Sequence, residues 1–532
     1  MEQQDLNKRL LLALVLSFLV FVGYGYLFPT QPPVVDNNAT ATAAPQTIRQ
    51  NVNAANTAQH TQTNRAPVTE TSQTHLLNIT SETFKMSFDE LGRIEQFELL
   101  EEKYRDAEGH NLKILAPNVA KPLEIRFSDT ALNTEAFNTP YEASVKGDIT
   151  LKDKPVVLTL TQRLSKATVT KKVTVHPNGA YDIDVKVEGG QPYFITPGHR
   201  PVADNSRYML VRGALVKQAD GVIVTIEDGE ATGTEVFKNA RIASAFDRYV
   251  ASVFYNFKEG MNVTVLKEPN GDPLLFVEGK PELKLGGYIG PKEYKTLAAI
   301  NPELTDVIEF GWFTFLAKPF FKIIIWINDV VGNWGWAIII FTLLIKLVLF
   351  PLSYKGMMSM NKLRDLAPKM KELRERYKDD PAKLNMKMME LYKKHGANPM
   401  GGCLPMLLQI PVFFALYRML LNADELQGAA WIPGWIDNLA APDPYYILPV
   451  LMGVTMWIQQ RITPSNFTDP MQEKIFKMFP VLMALMFIIM PFPSGLILYW
   501  VVNNIFTIGQ QYYINRAYER YKEAQKKAKG GA

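Results

Sequence analysis

The sequence has a single cysteine, Cys403, and therefore no internal disulfide and no metal site built from two cysteines. Its six histidines are scattered, and no two have the spacing of a helical metal-binding pair. The motifs HExxH and GxSxG and the phosphate-binding P-loop are also absent. The net charge of +4 is small for 532 residues, so its distribution along the chain is more informative than its total. These absences argue against metal-dependent, serine-hydrolase and nucleotide-dependent chemistry.

Long apolar runs are rare in the first three-fifths of the chain. The exception is Leu10–Leu27, which follows Lys8 and Arg9 and lacks a nearby small-residue cleavage site. Residues 1–28 are therefore predicted to be a signal-anchor transmembrane helix rather than a cleaved signal peptide. A bilayer core of ~30 Å needs about 20 apolar helical residues. By this measure, five further spans are predicted at Trp334–Leu352, Leu404–Leu421, Tyr445–Gln460, Phe476–Pro491 and Ser494–Tyr513.

Basic residues alternate between the predicted loops. Residues 354–402 contain twelve Lys or Arg, and residues 422–444 contain none. The loop 461–475 is basic again, and the tail 516–532 carries six basic residues. Because positive loops face the cytoplasm, this pattern predicts six spans with both termini cytoplasmic.

An additional apolar run, Phe310–Ile327, is interrupted by Lys318, Pro319 and Lys322. A seventh span there would place the basic residues 354–402 outside the cell. We therefore interpret residues 306–333 as an amphipathic helix lying in the membrane interface.

The polar first half divides into a linker and a domain. Residues 29–75 are rich in Thr, Ala, Asn, Gln and Pro, a composition typical of a flexible tether. Residues 76–305 are predicted to form a periplasmic β-sandwich, since alternating runs Val169–Val175 and Tyr181–Val187 flank the turn signal Pro177-Asn178-Gly179. A structural or docking role is expected for this domain, with carbohydrate binding as the alternative. Other strand-like runs are Leu123–Phe127, Val156–Leu160, Val222–Ile226 and Val263–Leu266.

Residues 354–402 have the pattern of two helices. The first is predicted to end near Lys378, and the second to run from about Pro381 to Lys394. Each has an apolar stripe at spacings of three and four, so we expect a cytoplasmic helical hairpin with charged outer faces. Nucleic-acid binding is a weaker alternative, since acidic residues are interleaved and no recognition motif is present.

Polar residues recur inside the predicted spans. Lys346 lies about 12 Å from the cytoplasmic end of its span, at 1.5 Å per residue, so its cost in a bilayer favours a polar cavity. Thr342 and Ser353 share its helix face. In other spans, polar positions are Gln409, Thr455, Gln459, Tyr499, Asn503, Thr507 and Gln510. Each alone is typical of contact between helices, whereas together they favour one shared wet cavity. Arg418 is predicted to extend its charge to the outer interface.

The order of parts and four local motifs resemble the YidC-type membrane protein insertases, in particular the Gram-negative branch with its large periplasmic region. The motifs are NPMGGCLP (Asn398–Pro405), DPYYILP (Asp443–Pro449), TDPMQ (Thr468–Gln472) and FPSGL (Phe492–Leu496). The resemblance implies a five-helix core over residues 334–515. It also implies a hydrophilic groove in the inner leaflet of the bacterial inner membrane. The implied groove residues are Lys346, where the family usually has arginine, with Thr342, Gln409, Tyr499, Trp500 and Asn503.

The resemblance implies an insertase and chaperone that is not an enzyme and uses no cofactor or metal. Its implied partners are nascent membrane proteins, the Sec translocon, the lipid bilayer, and a ribosome or targeting receptor at the hairpin and tail. No specific nucleic-acid sequence is expected. Two other classes of protein remain as alternatives. One is a secondary transporter that uses Lys346 for ion coupling, although the sequence shows no inverted repeat. The other is a membrane-anchored glycan-binding or enzymatic protein.

Overall fold

The structure is a computed structural model that describes residues 75–105, 108–145, 147–203, 211–395, 404–463, 470–490 and 492–530. The predicted signal anchor and nearly all of the predicted linker lie outside the described residues, as do 398–403 and 468–469 of the quoted motifs. The chain divides into two compact units. A strand-rich unit includes residues up to Glu98 and Lys113–Gly290, and a helical unit includes Leu99–Leu112 and the chain from Pro291 onward.

The strands of the strand-rich unit are labelled β1 to β19 in chain order, from His75–Thr80 (β1) to Glu282–Pro291 (β19). They form three sheets, with the strand orders β4-β3-β2-β1-β7, β13-β12-β15-β16-β19-β10-β9-β8-β6 and β14-β17-β18-β11-β5. One short helix, α1, covers Thr130–Asn138 and is capped by Asp129, whose carboxylate accepts from two backbone amides of the first turn. The strands β1 to β19 are His75–Thr80, Phe84–Asp89, Ile94–Leu99, Leu112–Lys113, Glu124–Phe127, Glu142–Ala143, Gly147–Thr150, Val156–Arg163, Thr168–Val175, Ala180–Glu188, Tyr193–Thr196, Gly213–Lys217, Ile223–Glu227, Thr234–Ala240, Ile242–Phe246, Val250–Tyr255, Met261–Lys267, Pro273–Glu278 and Glu282–Pro291.

The predicted hairpin at residues 169–187 is confirmed. Strands β9 and β10 pair antiparallel, and Tyr181 lies opposite Val175. Gly179 turns the chain with φ of 81°, and a Cβ there would lie 2.9 Å from the carbonyl oxygen of Ile289. The turn therefore needs glycine both for its backbone conformation and for its close approach to β19. The four other predicted strand runs also coincide with strands.

Burial differs among the strands of the largest sheet. In β10 buried and exposed residues alternate, as expected for a sheet with one face in solvent. Every residue of β15 and all but one of β16 are buried. These central strands are therefore covered on both faces. From the sequence, they were not distinguished from strands that have one face in solvent.

The helical unit has nine α-helices among the described residues, and six of them overlap the five predicted spans. The last helix, α10 (Ser494–Gly530), is continuous over 37 residues and extends far past the predicted end of its span at Tyr513. The helices α2 to α10 are Tyr294–Ile300, Thr314–Val331, Trp334–Val348, Phe350–Arg376, Pro381–His395, Leu404–Asn422, Ile447–Ile462, Pro470–Ile489 and Ser494–Gly530.

The predicted span Trp334–Leu352 is not a single helix: α4 ends at Val348, and α5 begins at Phe350 after a bend of 63°. Pro351 near the start of α5 cannot continue the hydrogen bonding of the preceding helix. Judged by length and apolar composition over the described residues, none of the helices is sufficient alone to cross a bilayer, whereas α4 and α5 together are.

The hairpin predicted at residues 354–402 contains two helices, α5 and α6. Buried Leu366 and Met370 of α5 form a small apolar cluster with partly buried residues of both helices, namely Leu363, Met388, Leu391 and Tyr392. The first hairpin helix also includes the last three residues of the predicted span Trp334–Leu352, because α5 starts at Phe350, directly after the bend, and runs without interruption to Arg376.

The short segment Leu99–Leu112 groups with the helical unit through buried polar contacts. The Tyr104 hydroxyl donates a hydrogen bond of 2.6 Å to the carboxylate of Asp424, which the Lys103 ammonium approaches to 3.5 Å. Burial raises the pKa of the Asp424 carboxyl to about 6. This carboxylate is therefore held by groups that lie about 320 positions away in the sequence.

Candidate functional site

A cavity with about 440 Å³ of empty space lies between helices α4, α5, α7 and α10. All four helices contribute polar side chains, and that of α5 is Ser353 in its first turn. The lining residues are Thr342, Ile345, Lys346, Leu349, Leu352, Ser353, Gln409, Val412, Tyr499 and Asn503. Five of the six predicted groove residues therefore line one cavity.

Of the described residues that line this cavity, only Lys346 is charged, and it is 8% exposed. Its ammonium donates a hydrogen bond of 2.9 Å to the Thr507 hydroxyl, which in turn donates to the carbonyl oxygen of Asn503. Among the described residues, no carboxylate forms an ion pair with Lys346. An ammonium has three donors, so two remain available for water or for a ligand in the cavity.

The other predicted residues extend the polar lining. The Gln409 amide on α7 donates a hydrogen bond of 3.1 Å to the Asn503 side chain on α10. Thr342 donates to the carbonyl oxygen of Ile338 one turn earlier, so its hydroxyl is satisfied within α4. Tyr499 is 4% exposed and presents a largely apolar ring to the cavity. The lining thus combines amides, hydroxyls and one cation with apolar walls.

The structure does not bring Trp500 to the cavity, which is a correction to the predicted set. Its ring packs edge-on against Phe413 at 5.1 Å and Phe487 at 5.2 Å between ring centroids. Successive residues of a helix point about 100° apart, and here Tyr499 points to the cavity while Trp500 points between the neighbouring helices. Trp500 instead helps to pack α10 against α7 and α9.

The side-chain contacts correct one further prediction and give Arg418 a partner. Thr455 does not line the cavity, because its hydroxyl accepts a hydrogen bond of 3.2 Å from the buried Asn504 amide. This pair is a contact between α8 and α10 of the kind that joins helices. The Arg418 guanidinium lies 3.5 Å from the carboxylate of Glu309, and its extension to the outer interface stays a prediction.

The sequence analysis missed the apolar part of the lining: Ile345, Leu349, Leu352 and Val412. An apolar residue in an apolar run gives no signal of its own, although Ile345 adjoins Lys346 in sequence. Of the described residues, none form a group of three or more His, Cys, Asp or Glu suited to a metal. The arrangement can hold water and hydrogen-bond polar groups, and it has the features of a binding cavity.

Comparison with known proteins assigns the class. Residues 326–523 match the family model described as 60Kd inner membrane protein, and this range includes every residue that lines the cavity. Residues 276–323 match a model described as the YidC periplasmic domain. The chain is thus an inner membrane protein with a periplasmic region.

Relatives specify the family. The membrane protein insertase YidC of Campylobacter jejuni is 48% identical, with 98% of both chains covered. That of Wolinella succinogenes is 45% identical and covers 98% of this chain and 97% of its own. A crystal structure of an active YidC insertase covers 94% of this chain and 99% of its own, at 17% identity and a TM-score of 0.36. On the sequence relatives, this chain belongs to the YidC family of membrane protein insertases, which are not enzymes, and the resemblance noted in the sequence is confirmed.

Proposed function

We propose that the cavity around Lys346 is a water-filled groove that receives the polar part of a membrane protein during its insertion. The observation that carries this proposal is the state of Lys346: a buried ammonium with one hydrogen bond, no ion pair among the described residues, and an adjoining cavity. A buried cation without a counterion is costly unless water or a ligand completes its solvation. The amide oxygen of Gln510, which is buried without a partner in the described part of the chain, adds a second group suited to water.

The groove would lower the main barrier of insertion. A hairpin of an inserting chain must carry polar groups across hydrocarbon, and each unsatisfied group there costs several kcal/mol. A wet cavity in the inner leaflet shortens the dry part of this path. Lys346 would attract acidic segments, and the apolar segment would then leave sideways into the lipid. Lysine provides the charge but not the two-pronged geometry of arginine, so attraction of water and acidic groups matters more here than fixed binding of a carboxylate.

The proposal includes a topology and partners. Six spans with both termini in the cytoplasm would place the groove toward the cytoplasm, with residues 29–75 as linker and 76–305 as the periplasmic β-sandwich domain. The hairpin and the basic tail 516–532 would then face a ribosome or a targeting receptor, and the protein would insert its clients alone or with the Sec translocon. The alternation of basic loops supports this orientation.

Cysteine labelling tests the groove. In a Cys403→Ser background, single cysteines replace Thr342, Lys346, Gln409 or Asn503 in membrane vesicles. A water-soluble maleimide applied from the cytoplasmic side should modify these positions, because they line the cavity. The matched controls are cysteines at Ile340 and Val348 on α4, which do not line it and should react slowly.

A photo-crosslinker at Tyr499 gives an independent readout, since its ring lines the cavity. It should capture the apolar segment of a nascent membrane protein, and the same probe at Trp500 tests whether its aromatic packing opens to substrate. Uniformly slow labelling at the four lining positions would show a dry cavity. These residues would then be contacts between helices, and the proposed function would be wrong.

A further inference from the structure

Helix α5 connects the cavity to the cytoplasmic hairpin as a single element. Its first turn supplies two lining residues, Leu352 and Ser353. It begins immediately after the 63° bend at Leu349 and continues without a break to Arg376. An α-helix is stiff over such a length, so any change in the angle of α5 about the bend would move Leu352 and Ser353 relative to the other cavity walls.

A ladder of polar contacts holds α5 against the tail end of α10, about 12 Å or more beyond Ser353 at 1.5 Å per residue. The Asn361 amide donates to the Asn515 side chain at 2.9 Å. Asp365 accepts a hydrogen bond of 3.1 Å from the Tyr518 hydroxyl and forms an ion pair of 2.8 Å with Lys522. Arg364 and Glu519 add a further ion pair at 3.3 Å.

The ladder has a buried layer and an exposed layer. Asn361 is fully buried and Tyr518 is 6% exposed, so their hydrogen bonds fix how the two helices align. The Asn515 amide also donates to the carbonyl oxygen of Ile462 at the end of α8. The ion pairs to Lys522 and Glu519 are partly open to solvent and therefore sensitive to salt. The burial of Tyr518 and its bond to Asp365 raise the pKa of this phenol to about 12.

The spacing shows that the contact is a property of two helix faces. The α5 residues lie at positions i, i+3 and i+4, and the α10 residues at i, i+3, i+4 and i+7. Such positions share one face of a helix. The stripe on α10 continues upward through Gln511, which donates to Asn515, to Thr507, the partner of Lys346. The same helix thus contacts the cavity at one end and the hairpin at the other.

We propose that Asn361, Arg364 and Asp365 with Asn515, Tyr518, Glu519 and Lys522 form a clamp that fixes the angle of α5 and thereby how widely the cavity opens beside Ser353. This clamp makes the C-terminal helix a positioning element for the groove. The inference rests on the proposed function, because it takes the cavity to be the insertion groove.

The test uses the full chain in nanodiscs with Cys403→Ser. One set carries a spin label on a cysteine at Lys371, an exposed position of α5. A second set carries a cysteine at Ser353 and is treated with a water-soluble maleimide. Each set is combined with Asp365→Asn, with Asn361→Leu, with the charge exchange Asp365→Lys plus Lys522→Asp, and with Lys527→Glu. Lys527 is an exposed residue of α10, the helix that carries Lys522, and serves as the matched control.

Asp365→Asn and Asn361→Leu should raise the mobility of the label and accelerate labelling at Ser353 by roughly fivefold, the ratio expected for loss of one hydrogen bond. The charge exchange should restore both readouts to within about twofold of the parent, and Lys527→Glu should leave both unchanged. If Asp365→Asn behaves like Lys527→Glu, the clamp does not hold α5. If mobility rises while labelling at Ser353 stays constant, the clamp does not control the cavity.

These failures are separate from failure of the proposed function. The parent protein with Ser353→Cys reports whether the cavity is wet before any clamp residue is changed. A dry cavity in the parent overturns the insertion groove. A wet cavity whose labelling ignores the clamp residues overturns only the inference made here.

Discussion

Each unit of the protein contains a deeply buried lysine, and the two lysines differ in how their charge is satisfied. In the strand-rich unit, Lys171 is completely buried, and its ammonium donates to the carbonyl oxygens of Leu91, Gly92 and Leu123. It also lies 4.1 Å from the centre of the Tyr141 ring. In the helical unit, the ammonium of Lys346 has one hydroxyl partner and a cavity beside it.

The comparison separates a structural cation from a functional one. All three donors of Lys171 point to backbone oxygens, so the side chain joins β9 to the loops before β3 and β5 and leaves nothing for a ligand. Lys346 keeps two donors free for the cavity. Burial alone therefore does not identify a functional lysine, and the unused hydrogen-bonding capacity is the more informative property.

The largest expected effect is on the structural lysine. Lys171→Met leaves three buried carbonyl groups without their shared donor and should destabilise the strand-rich unit by about 3 kcal/mol. This loss of stability should accelerate hydrogen exchange in β8 to β10, measured on the full chain, by roughly a hundredfold. Lys172→Met, on the exposed face of the same strand, is the matched control. Equal exchange in the two variants would contradict the structural role of Lys171.

The same lysine predicts a pH dependence. Burial lowers the pKa of Lys171 to about 7, from an ordinary value of 10.5. Between these values the unfolded chain binds more protons than the folded one, so the contribution of Lys171 to stability should rise with pH across this window and be constant below it. Pulse proteolysis of the full chain in urea, at several pH values from 7 to 10, measures this slope. Lys171→Met should reduce the slope, and Lys172→Met should keep it. The remainder should come from Lys121 in the same unit, because burial lowers its pKa to about 8.

For the functional lysine, loss of the charge should affect insertion rather than folding. Lys346→Met removes the hydrated cation, and an increase of about 1.4 kcal/mol in the barrier would slow insertion of a client about tenfold. Lys346→Arg retains the charge and should stay within about twofold of the parent. Complementation of a depleted strain and insertion into proteoliposomes provide the measurements. Val348→Met, on an exposed face of the same helix, is the control, and a Lys346→Met variant as active as this control would exclude a role for the charge.

Local sequence signals predicted much of this arrangement because their causes are local. A glycine after Pro177-Asn178 forms a hairpin turn with little dependence on the rest of the chain. Similarly, the face shared by Thr342 and Lys346 follows from the helical repeat, and the order of α5 and α6 follows from Pro381 and the apolar stripes.

Features that depend on contacts between distant segments were not predictable. Tyr104 gives no hint that it binds Asp424. Family resemblance placed Trp500 in the groove with Tyr499, whereas the structure packs its ring against Phe413 and Phe487. In the sequence, Thr455 and Gln409 are both polar residues inside predicted spans. Only the hydrogen bond from Asn504 identifies Thr455 as a contact between helices rather than part of the cavity wall. The bend at Leu349 likewise required the structure, because Pro351 is also accepted at the start of a helix.

A smaller effect than that of Lys346→Met is expected at its hydrogen-bond partner. Thr507→Val removes the hydroxyl but leaves the cation and the cavity, so insertion should slow by only about twofold to threefold. Thr507→Ser keeps the hydroxyl and serves as the control. Insertion rates measured side by side with Lys346→Met test the ranking. A Thr507→Val variant as impaired as Lys346→Met would mean that the hydrogen bond, and not the hydrated charge, carries the function.

The smallest effect should come from the polar contact that lies outside the cavity. Thr455→Val leaves the buried Asn504 amide without its acceptor, at a cost near the ~0.6 kcal/mol typical of hydrogen bonds between membrane helices. The apparent melting temperature in detergent should fall slightly, while maleimide labelling at Gln409 and Asn503 positions should not change, because Thr455 does not line the cavity. Thr463→Val is the control, since that hydroxyl donates within its own helix to the Gln459 carbonyl. If Thr455→Val altered the labelling as strongly as Lys346→Met, the division between cavity wall and helix contact would be wrong. The two sets of polar residues would then act as one network.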